Sequence, residues 1–474
     1  MGYSLKHLPV VGLLAATTVS AGVVSVPFAK RYPVDDTVPS LIRRDGTVDL
    51  RALNNITGGG YYAEFGIGTP PQNLSFMLDT GSSDTWVNSV DADLCSDELE
   101  QEQNGYCQKQ FDPEGSSTFK VVARNGFDIS YLDGREIQGD YFNDSVVIDG
   151  AVIKNQQLGL ALESVRPTGI MGLGLTITVA AKKKYPTIVD NLVSQGIINA
   201  PVFSLYLNDL QSKEGTVLFG GVDTEKIIDD LAVLPMQSVP GSNTQEITSY
   251  AVKLTGLSVT GVKTDSLSAV TILDSGSTLS LLPDAFTKKV WNQFGVKNVQ
   301  GLPVAFVDCA RANDKATFDF EFGSKSIKIP LEEFVIDSFA DFQDELMSQP
   351  SLQSLFKGWK GVCAFGISST ADFRIKSDQF ALLGDTFLRS AYVVYDLANK
   401  QIGMAQASLN STSSKIVEFK KGDSISNIKG TGADTSPKDG KNSKDSAASA
   451  FGPSFSIAVA GTLLMTVAAV MNAF

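Results

Sequence analysis

The sequence holds one short pattern twice, Asp79-Thr80-Gly81-Ser82-Ser83 and Asp274-Ser275-Gly276-Ser277-Thr278. Each copy is an acid, a small hydroxyl residue, a glycine and another hydroxyl. Each follows an apolar run, Leu74-Ser75-Phe76-Met77-Leu78 before the first and Val270-Thr271-Ile272-Leu273 before the second. Short apolar runs bounded by turn signals predict buried strands. An acid at a strand tip, followed by glycine, predicts a tight turn whose amides bond the carboxylate. One such turn would be an ordinary Asx-type turn. Two copies, one in each half, predict an internal duplication that brings two carboxylates together. Two carboxyl groups about a hydrogen bond apart cannot both ionise easily, so they share one proton. One of them then accepts a proton from water as general base while the other polarises a carbonyl. That chemistry calls for no metal, no cofactor and no covalent nucleophile.

The rest of the chain narrows the alternatives. Its 474 residues, 43% hydrophobic and 19% charged, allow two or three globular domains with ample core. A net charge of −13 argues against nucleic acid as a partner. Residues 1–21 read as a secretory signal: Lys6 and His7 open it, Val10–Val19 is mostly apolar, and Val19-Ser20-Ala21 offers a small-residue cleavage site. His7 is the single histidine. Once the signal is removed, Ser-His catalysis, Cys-His catalysis and histidine metal sites are excluded. From Tyr61 onward the texture is short alternating strands between Gly, Asn and Asp turns, as in Phe127–Tyr131 and Val146–Ile153, which gives an all-β class. Helical spacing is sparse; Pro186–Val193 and Asp284–Phe294 carry it, the latter through Phe286, Val290 and Phe294.

Between about Tyr61 and Ala407 the chain resembles the pepsin-type aspartic proteases. The two acid turns carry most of the likeness. Gly68-Thr69-Pro70-Pro71-Gln72 is similar to the family's approach to the first aspartate, and Trp86 stands at the expected place after it. Ile129-Ser130-Tyr131 resembles the flap over the substrate, although Leu132 follows the tyrosine where glycine is usual and the glycine arrives at Gly134. Gly169-Ile170-Met171-Gly172, Leu382-Leu383-Gly384-Asp385, Val217–Asp223 and Phe387–Asp396 match further stretches in order. The resemblance implies a bilobal all-β fold, with lobes at residues 45–231 and 232–410, an active-site cleft between them, and a monomer acting on polypeptide substrates. It implies catalysis by Asp79 and Asp274. Ser82 and Ser277 should bond the outer carboxylate oxygens, and Thr80 and Ser275 should lock the two loops together beside Gly81 and Gly276. Tyr131, supported by Trp86, should close over the substrate, with Met77 and Ile272 lining side-chain pockets. Relatives that serve as binding or inhibitory modules lose an aspartate or its glycine; this chain keeps all four.

The flanks add a surface context. Residues 22–44 read as a propeptide with two dibasic pairs, Lys30-Arg31 and Arg43-Arg44, the second being the better cleavage site. Cys95, Cys107, Cys309 and Cys363 allow three pairings. Pairs that respect the lobes, Cys95–Cys107 and Cys309–Cys363, agree with the family, whereas the spacing lacks the close pairs of zinc sites. Asp97, Glu98, Glu100 and Glu102, with Asp91 and Asp93 before them, form an acidic run that either is simply solvated or favours basic substrates. In that it resembles the fungal yapsins. Asn55, Asn73, Asn143 and Asn410 open glycosylation sequons. Residues 411–454 read as a flexible Ser/Lys/Gly stalk, and 455–474 as an uncharged tail. Small residues before that tail, with no basic residues after it, predict a GPI signal with attachment at Asp445 or Ser446 and so a membrane held by lipid rather than by a spanning helix.

Overall fold

The computed structural model describes residues 22–31, 60–104, 107–212, 214–240, 245–263, 267–299, 304–339, 343–348 and 353–433. The signal segment, Asn55, Arg43-Arg44, Asp445, Ser446 and the apolar tail lie outside the described residues.

Among the described residues the first half opens with ten strands: β1 (Val24–Arg31), β2 (Gly60–Ile67), β3 (Gln72–Asp79), β4 (Thr85–Asn88), β5 (Lys120–Ser130), β6 (Glu136–Ile148), β7 (Ala151–Glu163), β8 (Gly169–Gly172), β9 (Val202–Tyr206) and β10 (Glu214–Phe219). They join one 13-stranded sheet with Ile227–Pro235, Ala391–Asp396 and Gln401–Ala407, which come from the end of the first half and the end of the second. The second half adds a five-stranded, a three-stranded and a four-stranded sheet. One cluster of buried apolar side chains runs from Val24 in β1 to Met404 near the end of the second half.

The duplication visible in the motifs is repeated in the strand pairing. β3, which ends on Asp79, runs parallel to β8, and β4 lies antiparallel on β8. In the second half Ala269–Leu273 runs parallel to Phe380–Leu383, and Ser280–Leu282 lies antiparallel on the same strand. β3 is buried on both faces from Leu74 to Asp79, which is why the sequence before the first acid lacks alternation, whereas in Ala269–Leu273 Val270 and Ile272 are half-buried between buried neighbours. In each half the chain leaves its buried strand at the acid, turns, and returns on the far side of the strand that both flank.

Three sequence readings change. The run Val146–Ile153 is not one strand, because Asp149 and Gly150, both at positive φ, turn the chain between β6 and β7. The segment 22–44, read as a polar propeptide, opens with β1 inside the large sheet. There β1 pairs with β10 over Val24–Ala29 and with β2 over Ala29–Arg31. Its alternate residues Val24, Val26 and Phe28 are each 4% exposed, and Phe28 meets Tyr61 edge to face at 5.2 Å. Finally, the change of composition at 411 does not end the folded body. Ile416–Glu418 pairs with Gly221–Asp223, and Phe419, Ile425 and Ile428 are buried against Val222 and Ile227. A few apolar side chains suffice to fix a segment that is otherwise rich in Ser, Lys and Gly.

The helix at Asp284–Phe294 buries Phe286, Val290, Trp291 and Phe294 and ends at Gly295 in the left-handed conformation. The other helix starts two residues later than its sequence pattern, at Ile188, where Thr187 and Asp190 form a capping box. Both expected cysteine pairs are disulfides, Cys95–Cys107 and Cys309–Cys363. Among the described residues no helix is long and apolar enough to cross a membrane. Of the sequons, Asn73 is exposed at the start of β3 and Asn410 is exposed in a turn. Asn143 is half-buried in β6, where its Nδ2 donates to Asn155 Oδ1 at 3.2 Å.

Candidate active site

Each acid is fixed first by its own turn. The Gly81 amide donates to Asp79 Oδ1 at 2.8 Å and the Ser82 hydroxyl donates to Asp79 Oδ2. In the second copy the Gly276 amide donates to Asp274 Oδ1 at 2.9 Å and the Ser277 hydroxyl to Asp274 Oδ2 at 2.7 Å. Each carboxylate therefore has an inner oxygen on an amide and an outer oxygen on a hydroxyl. Donors of this kind favour a charged carboxylate.

The two turns are then bolted to each other. The Thr80 amide donates to Ser275 Oγ at 3.1 Å, and the Ser275 amide donates to Thr80 Oγ1 at 3.0 Å. Thr80 Oγ1 donates in turn to the Leu273 carbonyl, and Ser275 Oγ to the Leu78 carbonyl, both at 2.9 Å. Four buried hydrogen bonds thus cross between segments 195 residues apart. They place each carboxylate against the opposite glycine. A Cβ on Gly81 would stand 2.5 Å from Asp274 Oδ1, and one on Gly276 would stand 2.3 Å from Asp79 Oδ1. No other residue type fits so close an approach.

The electrostatics follow from that contact. Asp79 is 4% exposed and Asp274 is half-buried. Desolvation, and next the charge of Asp79, push the Asp274 carboxyl up from its usual 3.8 to about 7; Ser277 and Gly276 oppose the rise. Asp274 therefore keeps its proton well above the usual carboxylate range.

Beneath both turns lies an aromatic stack. Tyr395 lies 4.5 Å from Phe203 and 4.7 Å from Tyr250, ring centre to ring centre. The Tyr250 carbonyl accepts the Leu273 amide at 3.0 Å, and its hydroxyl donates to the Leu173 carbonyl at 2.7 Å. The Leu173 amide donates to the Asp79 carbonyl at 2.8 Å, so the stack reaches both acid-bearing segments.

Tyr131 follows β5 at the tip of the β5–β6 hairpin, and Trp86 Nε1 donates to its hydroxyl at 2.7 Å. Burial pushes the Tyr131 phenol far up, so it stays neutral. The Tyr131–Arg135 turn is closed by the Tyr131 amide on the Arg135 carbonyl and the Gly134 amide on the Tyr131 carbonyl, both at 2.9 Å. Gly134, at φ 81°, supplies the bend, and Leu132 is left 52% exposed at the tip. Met77 is buried in an apolar cluster with Trp86, Phe127 and Ile170, against which Tyr131 packs. Ile272 packs beside Leu281, Phe380 and Leu382 in the other half.

Two residues at this site carry no signal in sequence. Asp84 is fully buried and accepts the Tyr141 hydroxyl at 2.8 Å, the Tyr185 hydroxyl at 2.6 Å and the Ala180 amide at 2.6 Å. Its partners lie up to 101 residues away, beyond any local pattern. Arg166, in the loop between β7 and β8, lies over Tyr131.

The comparisons agree with this geometry. The family model described as eukaryotic aspartyl protease matches residues 60–407. A probable aspartic-type endopeptidase opsB of Aspergillus oryzae is 34% identical over 415 residues, covering 85% of this chain and 79% of that protein. Candidapepsin of Candida tropicalis is 32% identical over 399 residues, 82% of this chain and 90% of its own length. Secreted aspartic protease 6 of Candida albicans is 29% identical over 390 residues, 81% of this chain and 84% of its own. Two carboxylates in mirrored turns, a matching family model over most of the chain and relatives named for the same activity lead to one conclusion: this chain belongs to the pepsin-type eukaryotic aspartyl protease family.

Proposed function

We propose that Asp79 and Asp274 together hydrolyse peptide bonds at acidic pH through one activated water. The observation that carries this reading is the facing pair itself, each carboxylate set against the other turn's glycine with its inner and outer oxygens separately fixed. One carboxylate takes a proton from the water, whose oxygen bonds to the peptide carbonyl carbon. The protonated carboxyl gives its proton to the carbonyl oxygen. The tetrahedral adduct then breaks its C–N bond as the amine nitrogen takes up a proton, leaving a new carboxyl and a new amino terminus. In this reading Tyr131, its hydroxyl held by Trp86, closes over the substrate and excludes bulk water.

The context we infer is a zymogen that follows the secretory route and is held at the outer cell surface by a GPI lipid. Lys30-Arg31 is paired in β1 with Tyr61 and Gly60, so it is not free to enter another protease as an extended strand. That favours Arg43-Arg44 for processing. The preference for basic side chains rests on charge alone. Asp93 and Asp97 already accept backbone amides, those of Leu94 and Ser164 for Asp93 and that of Leu99 for Asp97.

The test is hydrolysis of a mixed peptide library by the processed protein lacking residues 446–474, followed from pH 3 to pH 8 with every cut sequenced. Cleavage confined to the acidic side supports the reading, and cuts clustered at Lys or Arg support the acidic-rim preference. Peptides left intact at every pH would move the chain to the binding modules of this fold.

A further inference from the structure

The hairpin that carries Tyr131 is held to the body of the protein by a second arm besides Trp86. The guanidinium of Arg166 lies 4.8 Å over the Tyr131 ring, and its Nη2 donates to Asp133 Oδ2 at 2.9 Å. Asp133 is in the same tip turn, where its Oδ1 accepts the Arg135 amide at 3.0 Å. One side chain from the body therefore grips the hairpin tip at two points, an aromatic face and a carboxylate.

The grip is shielded. The side chains of Arg166 and Asp133 are 16% and 19% exposed, and Arg166 Nε is buried with no hydrogen-bond partner. Exposed ion pairs contribute little, but a guanidinium that is both stacked and shielded contributes more. The arm is also rigid at its root. The Arg166 carbonyl accepts Asn88 Nδ2 at 2.9 Å and Ser164 Oγ at 3.1 Å, and the Ser164 amide donates to Asp93 Oδ1 at 2.8 Å. The Pro167 carbonyl accepts the Gln108 amide at 2.9 Å, beside the Cys95–Cys107 disulfide. The disulfide-closed acidic loop thus buttresses the segment that reaches over to Tyr131.

We propose that Arg166 is the positioning residue that holds the Tyr131 hairpin closed over the carboxylate pair, by stacking on the ring and pairing with Asp133. The consequence for catalysis rests on the protease reading above; the mechanical role does not. Arg135 Nε stands 3.8 Å from the same Asp133 oxygen, so removing Arg166 leaves that carboxylate a cationic neighbour and the turn its own hydrogen bonds. Lysine in place of arginine keeps the charge and loses the flat stacking face.

The experiment compares the processed protein with Arg166→Gln, Arg166→Lys, Asp133→Asn and the Arg166→Gln/Asp133→Asn double variant. Steady-state cleavage of a fluorogenic peptide is read beside amide exchange at residues 131–135. We expect Arg166→Gln to lower kcat/KM roughly tenfold and to speed exchange at the tip, with melting temperature and both pH limbs unmoved. Arg166→Lys should recover part of the loss, and the double variant should be no worse than Arg166→Gln, because the two residues share one contact. Wild-type exchange at the tip of Arg166→Gln overturns the proposal, as do losses that multiply in the double variant. If the unmodified protein cleaves nothing, the protease reading fails, and tip exchange alone still decides the role of Arg166.

Discussion

Replacing Asp274 by asparagine should change how stability depends on pH, independently of activity. In the folded protein the Asp274 carboxyl is raised from 3.8 to about 7, by burial first and by Asp79 second. A raised carboxyl means that the folded state binds the proton more tightly than the unfolded chain. Below the unfolded value both states are protonated and the group contributes no slope. Between about 4 and about 7 the unfolded chain releases a proton that the folded state keeps, so stability falls as pH rises; above that window the loss is complete. A shift of this size is worth at most roughly 4 kcal/mol, and sharing of the proton with Asp79 brings it to roughly 2–4 kcal/mol. The asparagine amide has no proton to release in this range. The melting temperature of Asp274→Asn should therefore gain on the wild type by roughly 2–5 °C between pH 4 and pH 7.5. Differential scanning at matched rates measures it. A gap between the two proteins that stays the same at both pH values would refute a buried shared proton.

Other consequences are as direct. Gly276→Ala should abolish turnover, because its Cβ would fall 2.3 Å from Asp79 Oδ1 and push the pair apart; peptide cleavage by a variant that still melts cooperatively checks it. Thr80→Val removes a hydroxyl that accepts the Ser275 amide and donates to Leu273, leaving two buried groups unpaired. It should cost roughly 2–4 kcal/mol by denaturant unfolding, and Ser275→Ala added to it should cost less than the sum. Trp86→Phe removes the donor to the Tyr131 hydroxyl and should lower kcat/KM roughly tenfold, with a lower melting temperature as well because the smaller ring leaves a cavity at a fully buried position.

What the sequence revealed is what it encodes locally. Each acid turn is contiguous, so an apolar strand, an acid and a glycine could be read off in order, and their repetition pointed to the pair. The helix at Asp284–Phe294 was legible because one face of it is buried at regular spacing. β1 was visible in principle, since Val24, Val26 and Phe28 alternate inward, but its strand partners lie at residues 60–62 and 214–219. The folded stretch after Ser411 was hidden because three buried apolar residues are too few to outweigh a polar composition. Asp84 and Arg166 were silent for another reason. An isolated acid or arginine acquires meaning only when tertiary structure sets it beside Tyr141 and Tyr185, or over Tyr131.

The central claim is that two carboxylates do the chemistry, and Asp79→Asn tests it most directly. The substitution keeps the side chain's size and its acceptor for the Gly81 amide, so the fold should survive with an unchanged melting curve at acidic pH. With the general base gone, cleavage of a fluorogenic peptide should fall by roughly 10²–10⁴-fold or more. A folded Asp79→Asn protein that cuts the peptide at near wild-type rate would contradict the account.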